Sequence, residues 1–261
     1  MGLLENKVIV IGGVGEGIGH SMALRAAAQG AKVVLAARTV SRVEAYADEV
    51  RAAGGVAVPV RCDMSVLSDC QNVAQAAVER FGRIDGVSMV ACMEPDRKFF
   101  ADADDNFADW RPILDFNVFG TLQLVKACLK PMTRGGSVAI VGSQAQDEPW
   151  ERTGPYAAAK AGLGAMIRVM ALEYGSKGIR FNGMAAGGIA SAPYFAYLQQ
   201  LADFAGRTFE EQKELMQKDY PLGYVPPPEE YADALIFLMS DMSRAVNGQN
   251  IHVNGGIFMK S

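Results

Sequence analysis

The chain has 261 residues, of which 50% are hydrophobic and 21% charged, and its formal net charge is −4 at pH 7. This composition is ordinary for a globular protein, and the negative balance disfavours nucleic acid and anionic membrane surfaces as partners. No apolar run reaches the length of a membrane span, and the N-terminus passes directly into a strand-like run, so we expect no signal peptide.

The cysteines and histidines disfavour a metal-binding protein and a Ser-His-Asp hydrolase. The four cysteines are scattered, without the paired spacing that is typical of a metal site. We expect free, reduced thiols, which suits a cytoplasmic protein, and we expect no metal. Only two histidines are present, far apart in the sequence, which gives little support to a Ser-His-Asp hydrolase.

Short apolar runs alternate with amphipathic segments along most of the chain. The runs predict buried strands at 7–11, 32–37, 56–60, 86–91, 137–141, 179–185 and 250–253. The segments between them predict helices at 22–29, 42–53, 66–81, 108–130, 155–175 and 229–240. Strands and helices that alternate through short links predict an α/β fold, in which helices cover both faces of a parallel sheet.

A glycine-rich run, residues 12–19, lies between the first predicted strand and the first predicted helix. Glycines let the backbone approach a pyrophosphate, and a helix N-terminus adds N–H groups and a favourable dipole. The run therefore predicts a dinucleotide-binding turn.

The end of the second predicted strand bears on the choice of dinucleotide. A carboxylate there would bind a ribose 2′-hydroxyl, but this chain has Ala37 followed by Arg38. The planar guanidinium suits a 2′-phosphate, whereas Glu16 in the glycine-rich run adds opposing negative charge. We favour NADP(H) with NAD(H) possible, and a solvated arginine at the start of a loop is the structural alternative.

Two polar residues have several interpretations at this stage. Asp63 follows the third predicted strand, where its carboxylate can accept a hydrogen bond from an adenine amino group or serve as a turn or N-cap residue. Asn117 lies inside a predicted helix in an apolar setting, which disfavours asparagine unless its side chain has a partner. A helix kink, a bound water and a buried amide bonded to a neighbouring segment all fit Asn117.

The segment from Ser143 to Lys160 carries the strongest indication of chemistry. Pro155 suits the first turn of a helix, and Tyr156 and Lys160 are then four residues apart on one helix face. A nearby ammonium is expected to lower the pKa of the tyrosine, which would let it transfer a proton near neutral pH. Ser143, at a strand end, is placed to hold a substrate oxygen. The alternative is a chance spacing with a solvated lysine.

Residues 189–228 interrupt the alternation and follow a predicted strand end. An insertion at this edge of an α/β sheet predicts a lid over the ligand crevice, and packing against a partner subunit is the alternative. Its aromatic stretch predicts contact with a bulky apolar substrate through Tyr194, Phe195 and Tyr197.

Several short motifs occur in a characteristic order. They are Gly13, Gly17 and Gly19, then Asp63, Asn117-Val118-Phe119-Gly120, Ser143, Tyr156-Ala157-Ala158-Ala159-Lys160, Ile179-Arg180-Phe181-Asn182 and the segment 248–256. By their order and spacing the chain resembles the short-chain dehydrogenases/reductases over nearly its whole length. The resemblance implies a Rossmann-like doubly wound sheet of about seven strands in a single domain, 1–261.

The resemblance also implies a reaction and four catalytic residues. Tyr156 would be the general acid/base, and Ser143 would orient and polarise the carbonyl or alcohol. Lys160 would lower the tyrosine pKa and bind the nicotinamide ribose, and Asn117 would hold a water that relays protons. Hydride would pass between NAD(P) and a secondary alcohol or ketone.

Ligand contacts and assembly follow from the same resemblance. Substrate contacts would come from Ser143, Tyr156, Tyr194, Phe195 and Tyr197. Family members often form homotetramers or dimers through their long helices, so we expect a homo-oligomer. The implied cofactor contacts are Gly13, Gly15, Glu16, Gly17, Ile18, Gly19, Arg38, Asp63, Met64, Ala91, Tyr156, Lys160, Gly187, Ile189 and Ser191.

The chain departs from the family pattern at a few positions. Gly12 stands where the family usually has threonine, and Met89-Val90-Ala91-Cys92 stands for Asn-Asn-Ala-Gly. Ala186-Gly187 replaces Pro-Gly, and Ser191 replaces a threonine. The first two departures motivate a competing hypothesis, a non-catalytic dinucleotide-binding protein that acts as a redox sensor or assembly partner. An enoyl reductase is a third hypothesis, although the tyrosine-to-lysine spacing in those enzymes is usually longer.

Overall fold

The computed structural model describes residues 2–94 and 97–259. Seven strands form one parallel sheet in the order β3-β2-β1-β4-β5-β6-β7. This arrangement confirms the predicted doubly wound sheet. The strands are β1 Val8–Gly12, β2 Lys32–Ala37, β3 Val56–Arg61, β4 Ile84–Met89, β5 Met132–Ser143, β6 Arg180–Ala186 and β7 Asn250–Val253.

Helices cover both faces of the sheet, as predicted. On one face a buried apolar core joins the sheet to α1, α2 and α9. On the other face a second core joins it to α3, α5 and α6. The helices are α1 Ile18–Ala28, α2 Val40–Ala52, α3 Leu67–Phe81, α4 Arg111–Leu114, α5 Thr121–Leu129, α6 Gly154–Gly175, α7 Ala192–Ala205, α8 Phe209–Gln217 and α9 Pro228–Met239.

Strand β1 shows why these residues form a central strand. Ile9 and Ile11 point into one core, and Val8 and Val10 point into the other. Successive side chains of a strand point to opposite faces, so a strand buried on both faces must be apolar throughout. The strand order reverses between β1 and β4, and ligands of such sheets bind at that point, beyond the carboxyl ends of the strands.

The predicted helix 108–130 is interrupted. It consists of α4, a π-helical turn from Asp115 to Gly120, and α5. The turn contains Asn117, whose side chain is bound to the backbone of another segment. This supports two of the interpretations weighed for Asn117, a helix irregularity and a buried amide with a partner.

The segment 189–228 is mostly helical. Its aromatic stretch forms α7, and a capping box at Thr208 and Glu211 begins α8. No helix within the described ranges is both long and apolar enough to span a bilayer.

Candidate active site

A cleft of about 1000 Å³ opens at the carboxyl ends of the central strands. The glycine-rich turn after β1 bounds it on one side, and the first turns of α7 bound it on another. The ends of β2, β4, β5 and β6 contribute to its floor. The cleft thus lies at the topological switch point of the sheet.

The glycine-rich turn has the shape that a pyrophosphate requires. Gly13 has a φ of 91°, and a Cβ built there would lie 2.3 Å from the backbone nitrogen of Ala91. At Gly15 and Gly17, by contrast, an added Cβ would meet nothing within 4 Å. No side chain caps the start of α1, so its first N–H groups are available to an anion. The turn therefore fits a dinucleotide phosphate.

Positive side chains line the end of the cleft beside β2. Arg38, Thr39 and Arg42 contribute to its wall, together with Glu16. The Arg38 guanidinium lies 5.5 Å from the ring centroid of Phe116. Sequence analysis missed Arg42, although its position four residues after Arg38 at the start of α2 is a usable signal.

Asp63 takes the turn role that was its structural alternative. Its Oδ1 accepts hydrogen bonds from the Ser65 backbone nitrogen at 3.0 Å and from the Ser65 hydroxyl at 2.6 Å. These bonds lower the pKa of the Asp63 carboxyl. The neighbouring residues Cys62 and Met64 line the cleft.

Ser143, Tyr156 and Lys160 converge in the cleft. Tyr156, in the first turn of α6, lies beside Ser143 at the end of β5. The Lys160 ammonium lies 5.6 Å from the centroid of the Tyr156 ring and donates to the Val141 carbonyl at 2.9 Å. Lys160 is only 1% exposed, so it is not the solvated lysine of the alternative interpretation.

The pKa of Tyr156 is raised, which is opposite to the predicted direction. Burial is the largest cause because it disfavours the phenolate, and the nearby Cys92 and Glu94 act in the same sense. The neighbouring Ser143 hydroxyl lowers the pKa of Tyr156 but does not outweigh burial. Tyr156 is therefore protonated at neutral pH in the free protein, a state suited to proton donation.

Asn117 faces the backbone of the loop after β4. Its Oδ1 accepts from the Met93 nitrogen at 2.9 Å, and its Nδ2 donates to the Met93 carbonyl at 2.7 Å. The side chain is 1% exposed. In this structure Asn117 fixes the strand-to-loop transition that carries Ala91 and Cys92 past the cleft.

Two departures from the family pattern compensate each other. Gly12 pairs with Met89 across β1 and β4. A Cβ at Gly12 would lie 2.9 Å from the Met89 sulfur and 2.7 Å from Leu124. The methionine side chain thus fills the space that a larger residue 12 would need. The sheet therefore stays packed without the threonine and asparagine that the family usually has at positions 12 and 89.

Cys92 stands where the family usually has glycine, and it lies beside Tyr156. It is the one exposed cysteine of the four, and its thiol is close enough to Tyr156 to raise the pKa of that phenol. Sequence analysis noted the departure but did not place the thiol at the site.

We expect iodoacetamide to inactivate the protein through Cys92. Alkylation joins the sulfur to the acetamide carbon with loss of iodide, and the adduct covers the Tyr156 hydroxyl. Residual activity should fall below about 10% as mass spectrometry shows one adduct, because the buried cysteines react slowly. The Cys92→Ala variant should keep its own untreated activity under the same treatment. A complete adduct at Cys92 with full activity would contradict the placement.

The predicted substrate side is partly assembled by α7. Tyr194 and Tyr197 line the cleft, whereas Phe195 packs between Tyr194 and Phe209, with ring centroids at 5.9 and 6.2 Å. The predicted cofactor residues Gly187, Ile189 and Ser191 also line the cleft. Several wall residues were not predicted from the sequence. Glu94, Gln144, Trp150 and Tyr220 lie on segments without a helical or strand period, and Met216 lies near the end of α8.

The fold and the cleft define a dinucleotide-binding α/β oxidoreductase. A family model described as Enoyl-(Acyl carrier protein) reductase matches residues 13–258. The chain is 30% identical to the short-chain reductase protein NovJ of Streptomyces niveus, with 97% of this chain and 94% of that protein covered. The chain belongs to the short-chain dehydrogenase/reductase family, and it is an enzyme of the oxidoreductase class.

Other relatives and solved structures agree with this assignment. The chain is 31% identical to 3beta-hydroxysteroid dehydrogenase 1 of Eggerthella lenta, with coverage of 97% of this chain and 94% of that one. A short-chain dehydrogenase/reductase structure from Brucella melitensis superposes with a TM-score of 0.88 at 28% identity, and each chain is covered completely. An actinorhodin polyketide ketoreductase structure with NADPH gives a TM-score of 0.87 at 24% identity over 98% of this chain and 99% of that one, which shows a shared fold.

Proposed function

We propose that the protein reduces a ketone to a secondary alcohol with NADPH, and that Tyr156 is its general acid/base. The observation that carries the proposal is the convergence of Tyr156, Ser143 and Lys160 in a cleft continuous with the glycine-rich turn. Burial raises the pKa of Tyr156, so its phenol is protonated at neutral pH and has a proton to give to a substrate oxygen.

The residues that would hold the dinucleotide are distributed along the cleft. The glycine-rich turn would take the pyrophosphate, Arg38 and Arg42 the 2′-phosphate, and Lys160 the nicotinamide ribose. Ile189 and Ser191 would bind the nicotinamide amide, and the Ser191 hydroxyl already bonds the Ile189 carbonyl at 3.2 Å. The bound nicotinamide would supply the hydride.

The chain's own residues would polarise and protonate the carbonyl. The Ser143 and Tyr156 side chains lie beside each other in the cleft, so one substrate oxygen could receive a hydrogen bond from both hydroxyls. Tyr156 would transfer its proton to that oxygen as the carbon is reduced. Lys160, buried beside the ring, would stabilise the resulting phenolate.

We propose a bulky, largely apolar ring ketone as the substrate. Trp150, Tyr194 and Tyr197 give the outer cleft aromatic walls, and Tyr220 and Met216 extend them. The relatives named as a hydroxysteroid dehydrogenase and a tetrahydroxynaphthalene reductase support ring compounds as the class. A panel of ring ketones and small hydroxy acids tests this, and turnover of the small hydroxy acids alone would exclude the ring-ketone class.

The other hypotheses have less support. Only three residues separate Tyr156 from Lys160, whereas enoyl reductases usually have a longer spacing. A non-catalytic binding protein would not need Ser143, Tyr156 and Lys160 to be kept together in the cleft. It predicts dinucleotide binding without turnover of any carbonyl compound.

We expect NADPH to bind at least about tenfold more tightly than NADH, because the guanidinium of Arg38 can pair with the 2′-phosphate. In Arg38→Ala the dissociation constants for NADPH and NADH should differ by no more than about twofold. NADPH should bind more weakly than to the wild type, whereas the affinity for NADH should not change. Parallel fluorescence titrations at matched ionic strength measure both constants, and Arg80→Ala on the exposed face of α3 is the control. Tighter NADH binding in the wild type would show that Glu16 outweighs Arg38.

We also propose a cytoplasmic homo-oligomer, a dimer or tetramer formed through the long helices. Leu172 is 84% exposed and lies three residues from the exposed Val169 on α6, and Phe119 in the π-helical turn before α5 is also exposed. The four free thiols suit a reducing compartment. Light scattering should give the mass of two or four chains, and Leu172→Glu should shift it to one. A wild-type monomer would refute the proposal.

A further inference from the structure

Two polar atoms in the cleft wall have no hydrogen-bond partner within the part of the chain that the structure describes. They are the side-chain oxygen Oε1 of Gln144 and the hydroxyl of Tyr194, and both are withdrawn from solvent. Buried polar groups are nearly always paired, and an unpaired one costs about 1–3 kcal/mol. Two such atoms in the wall of one cleft therefore indicate a ligand group that completes them.

Gln144 is rigidly placed next to the reacting residues. It follows Ser143 directly, and its carbonyl accepts from the nitrogens of Asp147 and Glu148, both at 2.9 Å. The side chain is 4% exposed, and its Oε1 lies 2.9 Å from the point where a Cβ would stand on Gly187. The amide thus rests on the glycine that follows β6 in the cleft.

The Tyr194 hydroxyl differs from that of its neighbour Tyr220. The Tyr220 hydroxyl lies against the backbone of Gly188, and it is not among the buried polar atoms that lack a partner in the described residues. Tyr194, in the first turn of α7, has none within the described residues. Burial raises the pKa of Tyr194 to about 12, so its hydroxyl stays protonated and able to donate.

A hydroxyl group is the ligand chemistry that suits both atoms. A hydroxyl can donate a hydrogen bond to the amide oxygen of Gln144 and accept one from the phenol of Tyr194. If the Gln144 amide were turned over, the same hydroxyl could accept from the amide nitrogen instead. Both protein atoms are already desolvated, so a new bond to them displaces no strong hydration. Both side chains line the cleft in which the substrate would lie. An apolar substituent would leave the two atoms unpaired.

We propose that Gln144 and Tyr194 determine specificity by binding a hydroxyl group of the substrate other than the oxygen that reacts. This inference rests on the proposed function, and it narrows the substrate to a ring ketone that carries a hydroxyl. The Tyr156 and Ser143 hydroxyls serve the reacting oxygen, and the second hydroxyl orients the ring relative to it.

Matched ring ketones test the proposal. We would measure NADPH-dependent reduction of 1-tetralone and of its 5-, 6- and 7-hydroxy isomers by the wild type, Gln144→Met and Tyr194→Phe. Tyr224→Phe is the control, because its hydroxyl belongs to the same insertion but bonds Glu230. We expect kcat/KM for at least one hydroxy isomer to exceed that for 1-tetralone by about 10- to 100-fold. Each cleft variant should lose that preference, so that its ratio of kcat/KM for the hydroxy isomer to kcat/KM for 1-tetralone falls to about one.

Binding measurements separate this inference from the proposed function. Dissociation constants of the same compounds for the protein–NADP⁺ complex report hydroxyl recognition without turnover. A binding preference lost in both variants, without turnover of any carbonyl, would support the inference and refute the proposed function. Turnover and binding without a preference, or a preference that survives in both variants, would overturn the inference. Weaker NADPH binding by Gln144→Met alone would assign the amide to the dinucleotide and also overturn it.

Discussion

Replacement of Tyr156 by phenylalanine is expected to lower kcat/KM for ketone reduction about 1000-fold, the scale of a lost general acid. The substituted ring keeps its packing beside Lys160, and only the hydroxyl is removed. The proton for the substrate oxygen then has no donor at the right place. The NADPH dissociation constant should stay within about twofold, because the glycine-rich turn and Arg38 are untouched.

Tyr174→Phe is the matched control for this variant. Tyr174 lies on the same helix, α6, but its ring packs on Phe181, with centroids 5.5 Å apart, and it does not line the cleft. It should keep wild-type kcat/KM and thermal stability. Unchanged turnover in Tyr156→Phe would contradict the assignment of Tyr156 as the general acid. Loss of NADPH binding in the same variant would show that the hydroxyl binds the cofactor.

Two alanine substitutions in the glycine-rich turn are expected to have different effects, one on stability and the other on NADPH binding. At Gly13 the new Cβ would meet the backbone of Ala91 at 2.3 Å with φ at 91°, so Gly13→Ala should lose at least about 3 kcal/mol of unfolding free energy. At Gly15 the Cβ would enter open space. Gly15→Ala should therefore fold normally but bind NADPH at least about tenfold more weakly, because the methyl group occupies the pyrophosphate cradle.

Denaturant unfolding and fluorescence titration of both variants measure these effects. Gly54→Ala is the control for backbone strain alone, since Gly54 has a φ of 83° and nothing within 4 Å of its Cβ position. It should lose only about 1 kcal/mol. Equal destabilisation of Gly13→Ala and Gly54→Ala would contradict the predicted clash with Ala91. Wild-type NADPH affinity in Gly15→Ala would contradict the assignment of the glycine-rich turn to the pyrophosphate.

Sequence patterns predicted the sheet and the main elements because their causes are local. A strand buried on both faces must be apolar, and a helix on a sheet needs an apolar stripe, so both periods are visible in the residues. The glycine turn and the pair of Tyr156 and Lys160 were visible for the same reason. The break at Asn117 was only one of several interpretations, since it depends on the backbone of Met93.

The chain sequence by itself determined the fold class and the family, and it predicted the residues that we propose transfer the proton. Tertiary structure decided which of these face the cleft and in what state. It turned Asp63 towards Ser65, packed Phe195 away from the cleft and raised the Tyr156 pKa through burial. It also placed Cys92, Gln144 and Tyr220 in the wall. Burial and close approach depend on residues far apart in the chain, so no local pattern encodes them, and a pKa follows its surroundings more than its neighbours in sequence.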